Sequence, residues 1–188
     1  MQDYMIFVYV GVPVLVLYFW YVSIISKRNK AQESYSGIDI QLKKRTDLVP
    51  NILKIAQKFM DHEKLLLTEI TELRTKVLKA SESQNNEERF KLEGMLENKM
   101  SGLMVAVENY PDLKSQESMV EAQRVYADVE EHISAARRSY NASVTALHNA
   151  IQIFPGTILA AMLGVKPMAF FEASEADKKD VNASDYLK

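Results

Sequence analysis

The sequence predicts an all-α protein: an N-terminal transmembrane helix, then an elongated antiparallel bundle of three long helices with a short C-terminal helix. Three observations carry this. Met5 to Ile25 is an apolar run without a single charge. Beyond it, apolar residues recur at alternating steps of three and four over most of the chain, the period of a helix face. Gly and Pro are scarce, at 6 and 5 of 188 residues, whereas helix-favouring types dominate. The expected organisation is 1–30 anchor and basic flank, 31–171 helical bundle, and 172–188 disordered polar tail.

The anchor comes first. Its 21 residues make a helix of roughly 31 Å, the thickness of a bilayer's hydrocarbon core. A cleaved signal peptide would have a basic start and a shorter apolar run, whereas this run is preceded by Asp3 and spans the full core. Tyr4 at one end and Trp20 with Tyr21 at the other are placed as interfacial aromatic belts are. Lys27, Arg28 and Lys30 follow at once, and cytoplasmic flanks carry such an excess, so the N-terminus is expected outside and the domain in the cytoplasm.

Ala31 to Ser36 reads as a polar connector, and Gly37 as a point where the chain can bend. From Ile38 to Val77, ten of twelve positions spaced alternately by four and three are apolar, which predicts one long helix of roughly 60 Å. Pro50 removes one backbone donor from it, so a kink is expected near Asp47 to Asn51, with Asp47 capping the restart. The two polar members of this seam, Arg45 and Glu63, read as buried-edge pairs or snorkelling side chains.

Ser81 to Glu88 is the clearest loop. A second helix carries Leu92, Leu96, Met100, Leu103 and Val107 on one face and stops at Tyr110-Pro111-Asp112. Ser118 with Glu121 has the form of a capping box and opens the third helix. Its stripe runs Met119, Ala122, Tyr126, Val129, Ile133, Ala136, Tyr140, Val144, Leu147, Ile151 and Phe154, and Pro155-Gly156 ends it. A short apolar segment, Thr157 to Leu163, closes at Gly164. Phe59, Phe90, Tyr126, Tyr140 and Phe154 are expected in or at the edge of the core.

Recognisable chemistry is absent from these patterns. With no Cys, the chain has no disulfide, thiolate nucleophile or thiolate-bound zinc. The di-metal bundle spacing places a Glu three residues before a His, but Phe59, Val129 and Thr145 stand there before His62, His132 and His148. No HExxH, phosphate loop, dinucleotide fingerprint or G-x-S-x-G elbow occurs. A net charge of −2 with interspersed signs gives no field for nucleic acid. No enzyme, cofactor or metal is expected.

Two polar stretches stand out. Ala135 to Asn141 puts Arg138 with Asn141 on one helical face and Arg137 with Tyr140 on the next. Glu108 to Lys114, which includes Tyr110, is a tight turn between helices. Either an acid of the turn, Glu108 or Asp112, pairs with one of these arginines and locks the bundle, or the surface recognises a peptide or lipid headgroup.

The chain resembles the LemA family. The resemblance rests on residues 37–51 (GIDIQLKKRTDLVPN), His62-Glu63, residues 108–114 (ENYPDLK), residues 135–141 (AARRSYN) and residues 154–160 (FPGTILA), in that order and spacing. The stretch Asn29 to Ser36 lacks the Tyr-Asn opening associated with the family. The resemblance implies a bacterial inner-membrane protein with an N-terminal anchor and a long helical bundle, and it implies no catalytic or ligand-binding residues.

Three long helices rising from the anchor end far from the bilayer, so the apolar segment containing Phe170 and Phe171 is expected at the distal end, packed back on the bundle or meeting a partner. The sequence thus suggests a membrane-anchored, non-enzymatic scaffold that forms a homo-oligomer. The alternative is an accessory protein that docks another membrane or cytosolic protein through the face of Arg137 and Arg138.

Overall fold

The computed structural model describes residues 2–60, 62–83 and 85–171, with side chains from residue 9 onward. The side chain of Tyr4 and the tail 172–188 therefore lie outside the described residues. Every regular element among those described is a helix: α1 Gln2–Ala56, α2 Lys64–Glu82, α3 Asn86–Val107, α4 Pro111–Lys114, α5 Glu117–Gln152 and α6 Gly156–Leu163. The all-α class and the long apolar N-terminal helix are as the sequence predicts. Two compact units share these helices, one built from residues up to Ile40 with Ser134–Phe170, the other from Gln41–Ile133 with Phe171.

The first departure is that α1 never breaks between the apolar run and the bundle. Residues 31–36 are helical, with Lys30 and Glu33 paired at 3.0 Å across one turn, the Ser36 hydroxyl donating to the Gln32 carbonyl at 3.2 Å, and Ala31 fully buried. A small apolar residue in a helix-favouring stretch packs closely, and no connector is needed. Gly37 is likewise helical.

The helix also passes through Pro50 without interruption, so Asp47 caps nothing. Proline at position 50 deprives the Thr46 carbonyl of its usual donor. Arg74 of α2 supplies the replacement: its Nε donates to Thr46 O at 2.9 Å. A tertiary bond has taken over a lost helical one, and the chain needs no restart.

The second departure is a break that periodicity does not reveal. The expected helix from 38 to 77 ends at Ala56 and resumes at Lys64. In between, the amides of Lys58 and Phe59 reach back only three residues, to Ile55 and Ala56 carbonyls, tightening the last turn. The intervening segment matches the length of a heptad, so Ala56, Glu63 and Ile70 keep one phase across it. Met60 within this segment and Leu67 just beyond it are both buried.

That extra reversal changes where the chain ends up. In the second unit, α2 runs against α1, and α3 returns against α2, with Lys99 bonded to Glu69 at 2.6 Å. Val49, Ile52, Ile70, Leu96, Met100, Leu103, Leu113 and Met119 close its core. Asn85 caps α3 by accepting the Glu88 amide at 3.2 Å, within the stretch expected to be a loop. The third long helix of the sequence reading, α5, begins at Glu117, next to the expected start near Ser118. The Met119 and Val120 amides there bond the Gln116 carbonyl.

In the first unit, α5 runs back along α1. Tyr35 faces Tyr140 with ring centroids 6.0 Å apart, Ser34 bonds Ser143 at 2.9 Å, and Ile24 and Ala31 pack with Leu147, Ala150, Ile151, Ala160 and Val165. The end of α5 and all of α6 therefore sit beside residues 20–31 of α1. They do not sit at a distal end, as a three-helix reading requires, because the break at 57–63 adds a reversal.

After α5 the chain turns sharply. Gly156 opens α6, and α6 bends 102° from α5. A Cβ on Gly156 would fall 1.9 Å from the Ala150 carbonyl oxygen and 3.4 Å from the Trp20 ring, so only glycine fits against this helix end. Gly164 closes α6 in the left-handed region (φ 63°), with Val165 N bonded to Ala160 O at 3.0 Å, a Schellman ending.

Candidate functional site

Two places concentrate chemistry that the helices have positioned. One is a charged cluster inside the second unit, and the other is an apolar corner in the first.

Arg45 sits on the buried face of α1 because its position continues the seam of Leu42 and Val49, three and four residues away. Its guanidinium is 0% exposed. Nη2 donates to Glu93 Oε2 at 2.6 Å and to the Glu93 carbonyl at 3.0 Å. Nη1 donates to Glu130 Oε1 at 3.1 Å and lies 3.7 Å from Glu97. Arg89, also buried, approaches Glu93 at 4.0 Å. The Tyr126 hydroxyl lies within the field of Glu130 without a hydrogen bond of good geometry.

The electrostatics follow from burial. Removal from water pushes the Glu93 carboxyl above the ordinary range, against the pull of Arg45 and Arg89, and Glu130 adds a further like charge. Arg45 resists the same desolvation because Glu93 and Glu130 hold its charge in place, so its affinity for the proton rises. Burial likewise raises the Tyr126 phenol. A permanently charged guanidinium bonded to α3 and α5 has no donor aimed at solvent. What it fixes is the register of α1 against those two helices, since sliding any of them would strand a buried charge. The sequence predicts buried-edge pairs or snorkelling side chains at Arg45 and Glu63; Arg45 is paired but fully buried rather than at an edge, and Glu63 stands half-buried in the turn before α2.

The apolar corner is assembled by α1, α5 and α6. Trp20 is half-buried against Gly156, and Ile24 is fully buried. Above it on α1, the large apolar side chains from Tyr9 to Val22 other than Trp20 stay 43–71% exposed. Tyr21 is among them, Arg28 is exposed, and Lys27 bonds the Ser23 hydroxyl at 2.7 Å. On the far side of the corner, Ile153, Phe154, Ile158 and Met162 point outward. Phe154, expected in the core, is 75% exposed, because α5 ends at Gln152 and the turn rotates the ring away from the stripe.

From Val165 the chain runs back along α5. His148 Nε2 lies 3.0 Å from the Met168 carbonyl, which can only accept, so the proton is on that nitrogen. Tyr140 donates to the Ala169 carbonyl at 2.6 Å, and burial pushes its phenol up to about 12. Phe170 meets the His148 ring edge-on at 5.0 Å.

The remaining candidate residues are scattered. Arg137 is buried and Arg138 is exposed, bonded to Ser134 at 2.9 Å. The two arginines therefore do not form one open surface. Tyr110 is half-buried against the core of the second unit. Glu108 pairs with Lys114 inside its own turn rather than with an arginine of α5. Phe170 is 43% exposed, but Phe171 is buried, stacked on Phe90 with centroids 4.3 Å apart. Among the described residues, no group of three or more His, Cys, Asp or Glu is arranged to hold a metal ion. Sequence reasoning does not single out Glu93 and Arg89, and it marks the apolar segment from Ile158 but puts it at the distal end rather than beside Trp20 and Ile24. The first two lie on the same α3 face as Leu96 and Met100, a signal hidden by their charge.

These features can be set beside known proteins. Protein LemA of Metamycoplasma hominis is 25% identical over 174 residues, covering 90% of this chain and 78% of its own length. The LemA family matches residues 34–184, so the match takes in the helices from the middle of α1 onward and leaves the apolar run outside it. That span is most of the chain and includes Arg45, Glu93, Glu130 and the corner at Gly156; the chain belongs to the LemA family.

Proposed function

We propose that this protein is a membrane-anchored, non-enzymatic helical scaffold that self-associates at a bacterial inner membrane, its bundle on the cytoplasmic side. The observation that carries the anchoring is the uncovered apolar length of α1: one helix passes from buried stripe to exposed Val, Leu, Tyr and Phe within a few residues of Trp20. Such a surface is stable in hydrocarbon and costly in water. The basic flank at Lys27, Arg28 and Lys30 supports the orientation.

Most stripe residues are buried within the chain; the exposed apolar side of α1 is what supports self-association in this reading. What supports the non-enzymatic part is the absence of a motif with catalytic spacing anywhere in the sequence. A partner-docking role through residues 137 and 138 has less support, since Arg137 is buried.

Mass measurement of the full chain in nanodiscs tests the scaffold, with oligomers expected; a uniform monomer at every protein-to-disc ratio overturns it. Alkaline carbonate extraction tests the anchor, because a spanning helix stays with the pellet. For orientation, a Ser81→Cys variant should resist an impermeant thiol reagent in intact cells, and ready labelling would reverse the assignment.

A further inference from the structure

We propose that α6 and the corner before it form a second membrane contact, a platform lying in the headgroup and upper acyl zone beside the point where α1 leaves the bilayer. This rests on the reading of α1 as a membrane span. Three independent features of the first unit converge on it.

The first is depth. The Trp20 ring abuts the position of Gly156, and Ile24 is buried with Ala160 and Val165. Trp20 is the interfacial aromatic at the end of the apolar run, and Lys27, Arg28 and Lys30 follow within three turns. Thus α6 docks on α1 at the level where hydrocarbon gives way to headgroups.

The second is angle. In this unit α5 runs antiparallel to α1, as the pairs Ser34 with Ser143 and Tyr35 with Tyr140 establish. Since α6 turns 102° from α5, it lies across α1. When α1 stands upright in a bilayer, α6 lies in the plane of its surface, the attitude of interfacial helices.

The third is chemistry. No Asp, Glu, Lys or Arg occurs between Arg138 and Lys166. Ala160 faces inward, while Ile158 and Met162, one turn apart, face outward with Ile153 and Phe154. Phe154 and Met162 are 75% and 78% exposed. The side of α1 from Tyr9 to Val22 is likewise apolar and exposed, so a bilayer that covers α1 down to Trp20 reaches the level of this surface.

The chain has no Cys, so single-cysteine variants carry a fluorophore without background. Full-length Val16→Cys, Ile158→Cys, Met162→Cys and Ser101→Cys would each be labelled with an environment-sensitive dye. They would then be reconstituted into phosphatidylcholine–phosphatidylglycerol vesicles containing lipids spin-labelled either high on the acyl chain, for 158 and 162, or deep on it, for 16. The expected result is strong lipid quenching and loss of iodide quenching at 16, 158 and 162, with the reverse at 101. If 158 and 162 behave like 101 while 16 is quenched by lipid, the platform is overturned and the anchor stands. If 158 and 162 are shielded from iodide yet untouched by the lipid quencher, a second copy covers them, and the platform is again overturned. If 16 is also open to iodide, the anchor reading fails and the platform with it.

Discussion

Arg45 and Glu93 meet at 2.6 Å with side-chain exposures of 0% and 1%, so neither charge has water to fall back on. Removing one partner of such a pair strands the other, which typically costs about 3–5 kcal/mol. Arg45→Met should reach that range, because it abandons Glu93 and also Glu130. Glu93→Leu should lose less, since Arg45 keeps Glu130. The double variant should be more stable than Arg45→Met alone. Urea unfolding of the full chain in detergent, followed by far-UV circular dichroism, checks the order. Equal losses for both single variants would show that Glu93 is the only partner that matters.

The same carboxyl gives a pH dependence. Burial raises the proton affinity of Glu93 in the folded protein above its unfolded value of about 4.3. The native state then holds more protons than the unfolded state across the window above that value. Stability due to this group is present at low pH and is lost as pH rises through the raised folded pKa. Glu93→Gln, which cannot titrate, should flatten that fall. The check is the difference between wild type and variant in unfolding midpoint from pH 4 to pH 8. A wild-type midpoint rising relative to the variant over that range would reverse the sign.

Thr46 and Arg74 show how a proline is tolerated inside α1. The Thr46 carbonyl, left without a donor by Pro50, takes the Arg74 Nε–H at 2.9 Å. Arg74→Met should therefore cost about 1–3 kcal/mol, the penalty of an unsatisfied buried acceptor. Pro50→Ala restores the helical N–H, so Arg74→Met on that background should cost clearly less. A double-mutant cycle with thermal unfolding measures the coupling, and strict additivity would mean that Arg74 acts elsewhere.

That pairing illustrates which parts of the fold the sequence makes legible. The apolar run, the stripes of α3 and α5, and the stop at Tyr110-Pro111 can be read because each is written in local spacing. The turn at 57–63 cannot, because it preserves the heptad phase and contains neither Gly nor Pro. Missing one reversal was enough to send α6 to the wrong end of the bundle. The burial of Arg45 was half legible: its seam position marks it as inward-facing, but its partners lie 48 and 85 residues away. The corner depends on Gly156 touching the Ala150 carbonyl and Trp20, a contact that exists only after α5 has run back along α1.

Gly102 and Gly156 should respond to alanine in opposite directions. A Cβ at Gly102 meets nothing within 4 Å and lies inside α3, more than a turn before its end, so Gly102→Ala should stabilise by about 0.5–1 kcal/mol through helix propensity. At Gly156 the added carbon falls 1.9 Å from a main-chain oxygen that cannot swing aside, and overpacking of this kind costs about 1–3 kcal/mol or more. Unfolding midpoints of the two variants make the comparison, and a neutral Gly156→Ala would mean that the start of α6 shifts freely.

Tyr140 holds the returning chain through one bond, its hydroxyl donating to the Ala169 carbonyl at 2.6 Å. Tyr140→Phe keeps the ring against Tyr35 and removes only that donor, so the loss in global stability should be about 1 kcal/mol. The local effect should be larger in kind. Residues 165–171 bond to α5 through side chains, Tyr140 on Ala169 and His148 on Met168, so freeing Ala169 leaves His148 as the nearest tie. Hydrogen exchange should therefore accelerate in peptides covering 165–171 while α3 peptides are unchanged. Exchange that is unaltered in 165–171 would show that Val165 and Phe171, both buried, anchor the segment without the tyrosine.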